Sequence, residues 1–315
     1  MSTKPENKRS VSEGSMRKAY FMYVLSMLLF GTNGILVSHI TLQSSQIVLM
    51  RTLIGGLLLT ALVLSRGGFD RDAVRAYRMP LLLGGTALGL NWVALFEAYR
   101  LLNVSLATLI YYVGPILVLL LSPLLFREKL GGRKLMSVFL VAVGLVCISG
   151  SIAFGGMSAL GLLTAVVSAL FYATLIIFNK RITHLNGLHT AALELDIAFV
   201  VVLVYTLATV GLPRPVRSDI PWLAAIGIIN TGFAYLLYFS GLQKLPAQSV
   251  ALISYVDPVS ALVFSALFLR ELMTPIQILG AFLIIGGAMF GELRSQRIQD
   301  SGQREGDPPG TDELR

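Results

Sequence analysis

The chain has 315 residues, 55% of them hydrophobic and only 13% charged, and a mean hydropathy of +0.75, which excludes an ordinary soluble globular domain. A net charge of +8 and a pI near 9.7 would suit nucleic acid. The basic residues, however, sit in short loops between apolar runs rather than on one polar face, so nucleic acid is not an expected partner. The single cysteine, Cys147, lies inside an apolar run and excludes a disulfide framework or a multi-cysteine metal site.

Residues 1–17 are polar and charged and read as a disordered cytoplasmic tail. Apolar runs close to the ~20 residues that cross hydrocarbon then follow. They place ten transmembrane helices at 18–38, 46–65, 79–99, 104–126, 133–151, 157–180, 189–211, 220–241, 247–269 and 275–293. The first run is too long for a removable signal peptide and lacks a small-residue cleavage site, so it counts as a span. Residues 295–315 are polar again, with Gly and Pro, and read as a second disordered tail. The expected class is an all-α integral membrane protein surrounded by lipid.

Lysine and arginine set the orientation, because they collect in cytoplasmic loops. With the amino terminus inside, the inner segments hold twenty of the 25 basic residues, among them Arg66, Arg71, Arg75, Arg127, Arg133, Lys134, Lys180 and Arg181. The outer loops hold four, Arg100, Arg214, Arg217 and Arg270, and Arg51 is left inside a span. Both termini are therefore expected in the cytoplasm, and the chain in the plasma (cytoplasmic or inner) membrane.

The segment from Leu102 to Glu128, LNVSLATLIYYVGPILVLLLSPLLFRE, returns 143 residues later from Leu245 to Glu271 as LPAQSVALISYVDPVSALVFSALFLRE. Leucine-rich composition yields chance leucine matches, but it does not place Pro115/Pro258 and Arg127-Glu128/Arg270-Glu271 in one register. The chain is thus read as a duplication, with one repeat over 18–151 and another over 152–294. Five helices per repeat is an odd number, so the second copy enters the membrane from the opposite side. Such inverted repeats are the construction of many secondary transporters.

The blocks FEAYRLLNVSLATLIYYVGPILVLLLSPLLFREKL (96–130) with Gly144, and YFSGLQKLPAQSVALISYVDPVSALVFSALFLREL (238–272) with Gly287, resemble the drug/metabolite transporter superfamily in its ten-helix EamA-domain branch. Arg51, in MRTLIGGLLL, is similar to an arginine found in that family's second helix. The resemblance implies export of amino acids, amines, metabolites or drugs, and a pathway lined by helices 1, 3, 4, 6, 8 and 9. The second copy in that family often has Glu before its proline; here the position is Asp257.

Ionisable groups at hydrocarbon depth are costly unless paired or solvated, so each needs an account. Arg51 and Glu97 have matching depth towards the outer side, which allows a salt bridge, against snorkelling to headgroups and water. Glu194 and Asp196 lie two apart on helix 7, so they point to nearly opposite sides and only one can face a central path. Asp257-Pro258 falls near the middle of helix 9. Pro258 cannot donate to the carbonyl of Ser254, and Pro115 leaves that of Tyr111 free in the same way. Two readings stand for these kinked helices: they present carbonyls and hydroxyls to a cavity where Asp257 binds a cation or proton, or they only shape packing. Asn33, Asn91, Trp92, Tyr112, Tyr172, Asn230, Tyr235 and Tyr255 complete a mid-depth polar and aromatic set suited to a small amphipathic solute. Tyr20, Tyr23 and Trp222 are read as interface belts, and Gly55-Gly56, Gly84-Gly85 and Gly286-Gly287 as sites of close helix contact.

The expected function is secondary active export of a small organic solute by alternating access, with protons as the candidate coupling ion and a homodimer compatible with the chain. No cofactor is called for: there is no G-x-x-x-x-G-K-[ST], H-E-x-x-H or G-x-S-x-G motif, and His39, His184 and His189 are scattered over helix ends and loops. The alternative is a passive channel or a non-transporting scaffold or sensor.

Overall fold

The computed structural model describes residues 6–102, 107, 110–128, 130–149, 158–268 and 275–292. Among them every regular element is helical. Hydrocarbon imposes this, because a helix satisfies its own backbone groups where no water can. The order is α1 Glu6–Gly31, α2 Asn33–Val37, α3 Ser44–Ser65, α4 Arg71–Ala76, α5 Arg78–Leu101, α6 Val113–Phe126, α7 Gly132–Ser149, α8 Ala159–Asn179 and α9 Gly187–Thr209. There follow α10 Ile220–Ala225, a π-helical segment Ile226–Phe233, α11 Ala234–Leu242, α12 Ala247–Ile253, α13 Val256–Phe268 and α14 Pro275–Glu292.

Six stretches among the described residues are long and apolar enough to cross a membrane: Gly14–Val37, Ser44–Ser65, Arg78–Ala98, Ala159–Asn179, Gly187–Thr209 and Arg217–Leu242. Shorter apolar helices join them at Val113–Phe126 and Ile278–Gly287. The exterior is apolar as well, with Phe21 66%, Phe282 73% and Leu124 80% exposed. So continuous an apolar surface suits lipid and not water.

The observed elements depart from the expected ones where backbone irregularity enters. α1 begins at Glu6, inside the stretch expected to be a disordered tail; the second tail, 295–315, lies outside the described residues, as do Arg270 and Glu271. The first span breaks at Thr32, and the eighth passes through π geometry. The ninth is two helices rather than one kinked helix, and in the fourth a turn at Tyr112 precedes α6.

Element boundaries repeat at the offset seen in the sequence. The starts of α3, α6 and α7, at Ser44, Val113 and Gly132, fall 143 residues before those of α9, α13 and α14 at Gly187, Val256 and Pro275. Contacts repeat too. A Cβ on Gly55 would stand 3.1 Å from the Gly232 nitrogen, and one on Gly89 3.1 Å from the Ala198 carbonyl. The offset carries Gly55 to Ala198 and Gly89 to Gly232, so α3 meets the eighth span as α9 meets α5. On the α7–α14 face, Gly144 lies against Gly280 and Ile284, and Gly287 against Ser137 and Val141, the same exchange again. The Ser137 hydroxyl donates to the Gly287 carbonyl at 2.6 Å and locks this pair. Glycine removes the side chain that would hold such backbones apart. The expected close contacts occur at Gly55, Gly56, Gly84, Gly85 and Gly287, whereas Gly286 has open space.

Candidate functional site

Pro115 and Pro258 each sit third in a fresh helix, α6 and α13. In a helix's first turn the N–H has no intrahelical acceptor, so a residue without one is tolerated there. The prolines therefore start helices instead of kinking them. The preceding carbonyls find local and distant partners. The Tyr255 hydroxyl donates to the Tyr112 carbonyl at 2.8 Å, and the Asp257 N–H to the Ser254 carbonyl at 3.2 Å. Two helix N-termini, with the partial positive charge of their unpaired N–H groups, thus begin at equivalent places within the protein.

Aromatic residues converge on these breaks. Tyr111 packs on Tyr172 and Tyr112 at centroid separations of 5.2 Å, and Tyr112 lies 6.0 Å from Tyr255. Trp92 meets Tyr235 edge-on at 5.4 Å, and Phe30 lies 4.8 Å from Tyr235. Ser254, in the break, gathers hydroxyls: Tyr172 donates to it at 3.0 Å, Tyr23 lies 2.9 Å away, and Ser254 donates to the Val250 carbonyl at 2.8 Å. The Tyr238 hydroxyl is buried beside those of Tyr23 and Tyr172 without a well-aligned hydrogen bond to either.

Two charges enter the cluster from opposite copies. The Arg51 guanidinium lies 4.6 Å from the Trp92 ring centroid, and its Nε donates to Thr231 Oγ1 at 2.9 Å. Thr231 in turn donates to the Ile226 carbonyl at 2.8 Å, inside the π segment. Such segments recur at functional sites because the widened turn frees backbone and re-aims side chains. Asp257, half-buried in the first turn of α13, is hydrogen-bonded by Tyr112 and lies within the field of Arg51. Neither reading of Arg51 and Glu97 holds among the described residues: Arg51 is buried rather than snorkelling and is not paired with Glu97, which accepts from the Tyr205 hydroxyl at 2.7 Å.

The structure brings Trp92, Tyr112, Tyr172, Tyr235, Tyr255, Asp257, Pro115, Pro258 and Arg51 to this one region. Asn33 lies at the adjoining break, where Asn230 Nδ2 donates to the Leu29 carbonyl, Thr32 Oγ1 and Asn33 Oδ1 at 2.8, 2.9 and 3.1 Å. Asn91 is spent on packing: its amide bonds the Ser168 carbonyl and hydroxyl at 2.8 and 3.1 Å, clamping α5 to α8. Glu194 faces Asn179, and Asp196 accepts from Thr60 at 2.6 Å, so both are engaged between helices rather than at the aromatic cluster. Tyr23, Tyr238, Ser254, Thr231, Tyr111 and Phe30 went unremarked as site residues. Tyr23 is fully buried, not at an interface belt, because α1 starts early enough to carry it to mid-helix. Of the other two belt residues, Tyr20 donates its hydroxyl to that of Ser249 at 3.3 Å and Trp222 stacks on His39 at 4.1 Å.

One end of the cluster is tied shut. Arg127, at φ 57°, turns the chain sharply after α6. Glu128 then accepts from the Ala247 and Gln248 N–H groups at 2.8 and 3.1 Å, capping α12 from another part of the chain. Gln248 donates to Ser122 at 2.6 Å and accepts from Lys134. Lys180 donates to the Leu242 carbonyl at 3.2 Å and also to that of Leu245. Burial pushes the Lys180 ammonium down to about 8, with Glu128 acting the other way. A separate cavity of about 490 Å³, lined by Arg66, Asp70, His189 and Ser240 among others, lies away from the aromatic cluster.

Comparison with known proteins places these features in a common frame. The sequence pattern of the EamA-like transporter family matches residues 17–150 and again 159–291. The chain is 29% identical over 291 residues to Uncharacterized transporter YxxF of Bacillus subtilis, covering 91% of this chain and 93% of that one. An Uncharacterized transporter of Helicobacter pylori (strain J99) is 31% identical over 212 residues, covering 63% and 65%. Protein PecM of Dickeya dadantii is 24% identical over 212 residues, covering 66% and 71%. A crystal structure superposes with a TM-score of 0.78 at 21% identity, over 89% of this chain and 99% of that one, and shares its fold.

Proposed function

The chain belongs to the EamA-like transporter family, and from that premise we propose that it is a secondary active exporter of a small organic solute carrying an ammonium group, an amine or an amino acid. It spans the plasma membrane ten times as two five-helix copies of opposite sense, with both termini in the cytoplasm. The observation that carries this reading is Asp257 at one of two equivalent helix breaks, hydrogen-bonded by Tyr112 of the other and within the field of Arg51, in a cluster walled by tyrosines. Asp257 receives the ammonium. Arg51 favours solutes that also bear a carboxylate, and the hydroxyls of Tyr23, Tyr172 and Tyr238 re-pair as the solute enters.

Alternating access needs two packings biased by differential contacts with the solute. In the present packing the end carrying Glu128, Lys134, Lys180 and Gln248 is closed, and the density of basic residues there makes it the cytoplasmic end. Exchange of the matched helix contacts described above supplies the second packing. Protons are the coupling ion, and Asp257 is one group able to carry them.

Reconstituted protein should exchange a labelled pool of amino acids and amines in counterflow, saturably, and Asp257→Asn should abolish that exchange or uncouple it from a pH gradient. Absence of saturable exchange for every solute in the pool would contradict the proposal and favour a channel or scaffold.

A further inference from the structure

Two fully buried carboxyls among the described residues are not used by the solute site: Asp219, which accepts from Thr41 and Val216, and Glu194, which has a single side-chain partner. Glu194 lies two turns into α9, and Asn179 Nδ2 meets both its oxygens at 2.8 and 3.0 Å. Its space is built by a glycine: a Cβ on Gly84 of α5 would stand 2.2 Å from Glu194 Oε1. No cation faces it among the described residues. On α8, Asn179 is its partner, and the following Lys180 turns to the Leu242 and Leu245 carbonyls. On α9 itself Asp196 turns to Thr60 of α3. Arg78, at the start of α5, is exposed, and Arg181 stacks over Phe178.

A carboxylate held in this interior by one neutral amide is strongly unfavourable, whereas a carboxylic acid is not. The amide carries a matching sign. Asn179 Oδ1 is buried with no donor, and amide oxygen and nitrogen exchange places on a half-turn of the side chain. Asn179 Nδ2 also donates to the Leu175 carbonyl at 3.1 Å; turned so, the side chain gives up that bond, and the oxygen would stand at hydrogen-bonding distance from the carboxyl and accept from a protonated Glu194. We propose that Glu194 and Asn179 form an exchangeable proton site, distinct from Asp257, clamped between α5, α8 and α9. On release the Glu194 O–H bond breaks, the proton passes to water, and the carboxylate remains; uptake reverses the step. Asn179 ends α8 beside the loop assigned to the cytoplasm, so parting of these three helices opens the site to that side. Its role in coupling rests on the transport reading; its protonation does not.

Infrared pH-difference spectroscopy on the full chain in lipid vesicles tests the protonation. In an Asp257→Asn background, which removes the other proton carrier, the protein should show a protonated-carboxyl band at neutral pH that Glu194→Gln removes and Asp196→Asn leaves. In Asn179→Leu, which retains the acid, the band should move because its partner is gone. A band that is absent from that background, survives Glu194→Gln in it, or stays in place when Asn179→Leu is added would overturn the proposal. In proteoliposomes given the labelled amino acid and amine pool, Glu194→Gln should retain counterflow but lose its response to a pH gradient. A full gradient response in that variant would overturn the coupling role. Failure of wild type to exchange any solute would instead strike the transport reading and leave the infrared result standing.

Discussion

Arg51 makes two kinds of contact that a lysine cannot make together: a flat face over Trp92 and an Nε–H directed at Thr231. Arg51→Lys should therefore weaken solute exchange despite conserving charge. A lost cation–π contact of about 1 kcal/mol corresponds to roughly a fivefold rise in the half-saturating concentration of counterflow. Tyr255→Phe removes the donor that satisfies the Tyr112 carbonyl at the break. The buried acceptor left behind should cost about 1–3 kcal/mol, seen as a lower melting temperature in detergent. Lys180 gives a pH signature. Its folded-state value of about 8 lies below the ordinary 10.5, so between these the unfolded chain binds the extra proton and wild-type stability rises with pH. Lys180→Arg cannot shed its proton, so its melting temperature should fall progressively behind wild type as pH rises from about 8. Residues such as Arg51 and Asp257 were legible because a charge inside an apolar run is conspicuous. Ser254 and Tyr111 occupy the same register in the two copies but are not identical, so the comparison of repeats passed over both.

At the scale of elements, the apolar runs revealed where helices lie but not where they stop. The ninth span read as one helix because no local breaker other than Pro258 interrupts 247–269, and proline is equally at home in a first turn. What permits the break is distant: a Tyr255 hydroxyl for the Tyr112 carbonyl, and Glu128 for the N–H groups of Ala247 and Gln248. A pattern read along one strand of sequence does not contain those partners. The glycine pairs were read more successfully, because only close contact excuses them in a helix. They also separate by environment. A Cβ on Gly144 would meet the Gly280 carbonyl at 2.7 Å, while Gly286 has nothing within 4 Å. Gly144→Ala should thus lower the melting temperature by the equivalent of about 1–3 kcal/mol. Gly286→Ala on the facing helix should be neutral or slightly stabilising, since alanine favours helix over glycine by up to about 1 kcal/mol.

For the whole molecule, the repeat seen in the sequence reappears as repeated element starts and exchanged contacts, which is why composition and periodicity carried the reading of the fold so far. The site was only partly legible: the aromatic set was drawn up by depth, and depth does not distinguish Asn91, which clamps two helices, from Tyr112, which reaches Asp257. The central claim is that this aromatic cluster is reached from one side of the membrane at a time. Labelling of Ser254→Cys in a Cys147→Ala background, with an impermeant thiol reagent applied to right-side-out and inside-out vesicles, tests it most directly. The account predicts that adding transported solute raises labelling from one face as it lowers labelling from the other. Labelling from both faces that every solute of the amino acid and amine pool leaves unchanged, or shifts in the same direction on both, would contradict it and mark an open pore.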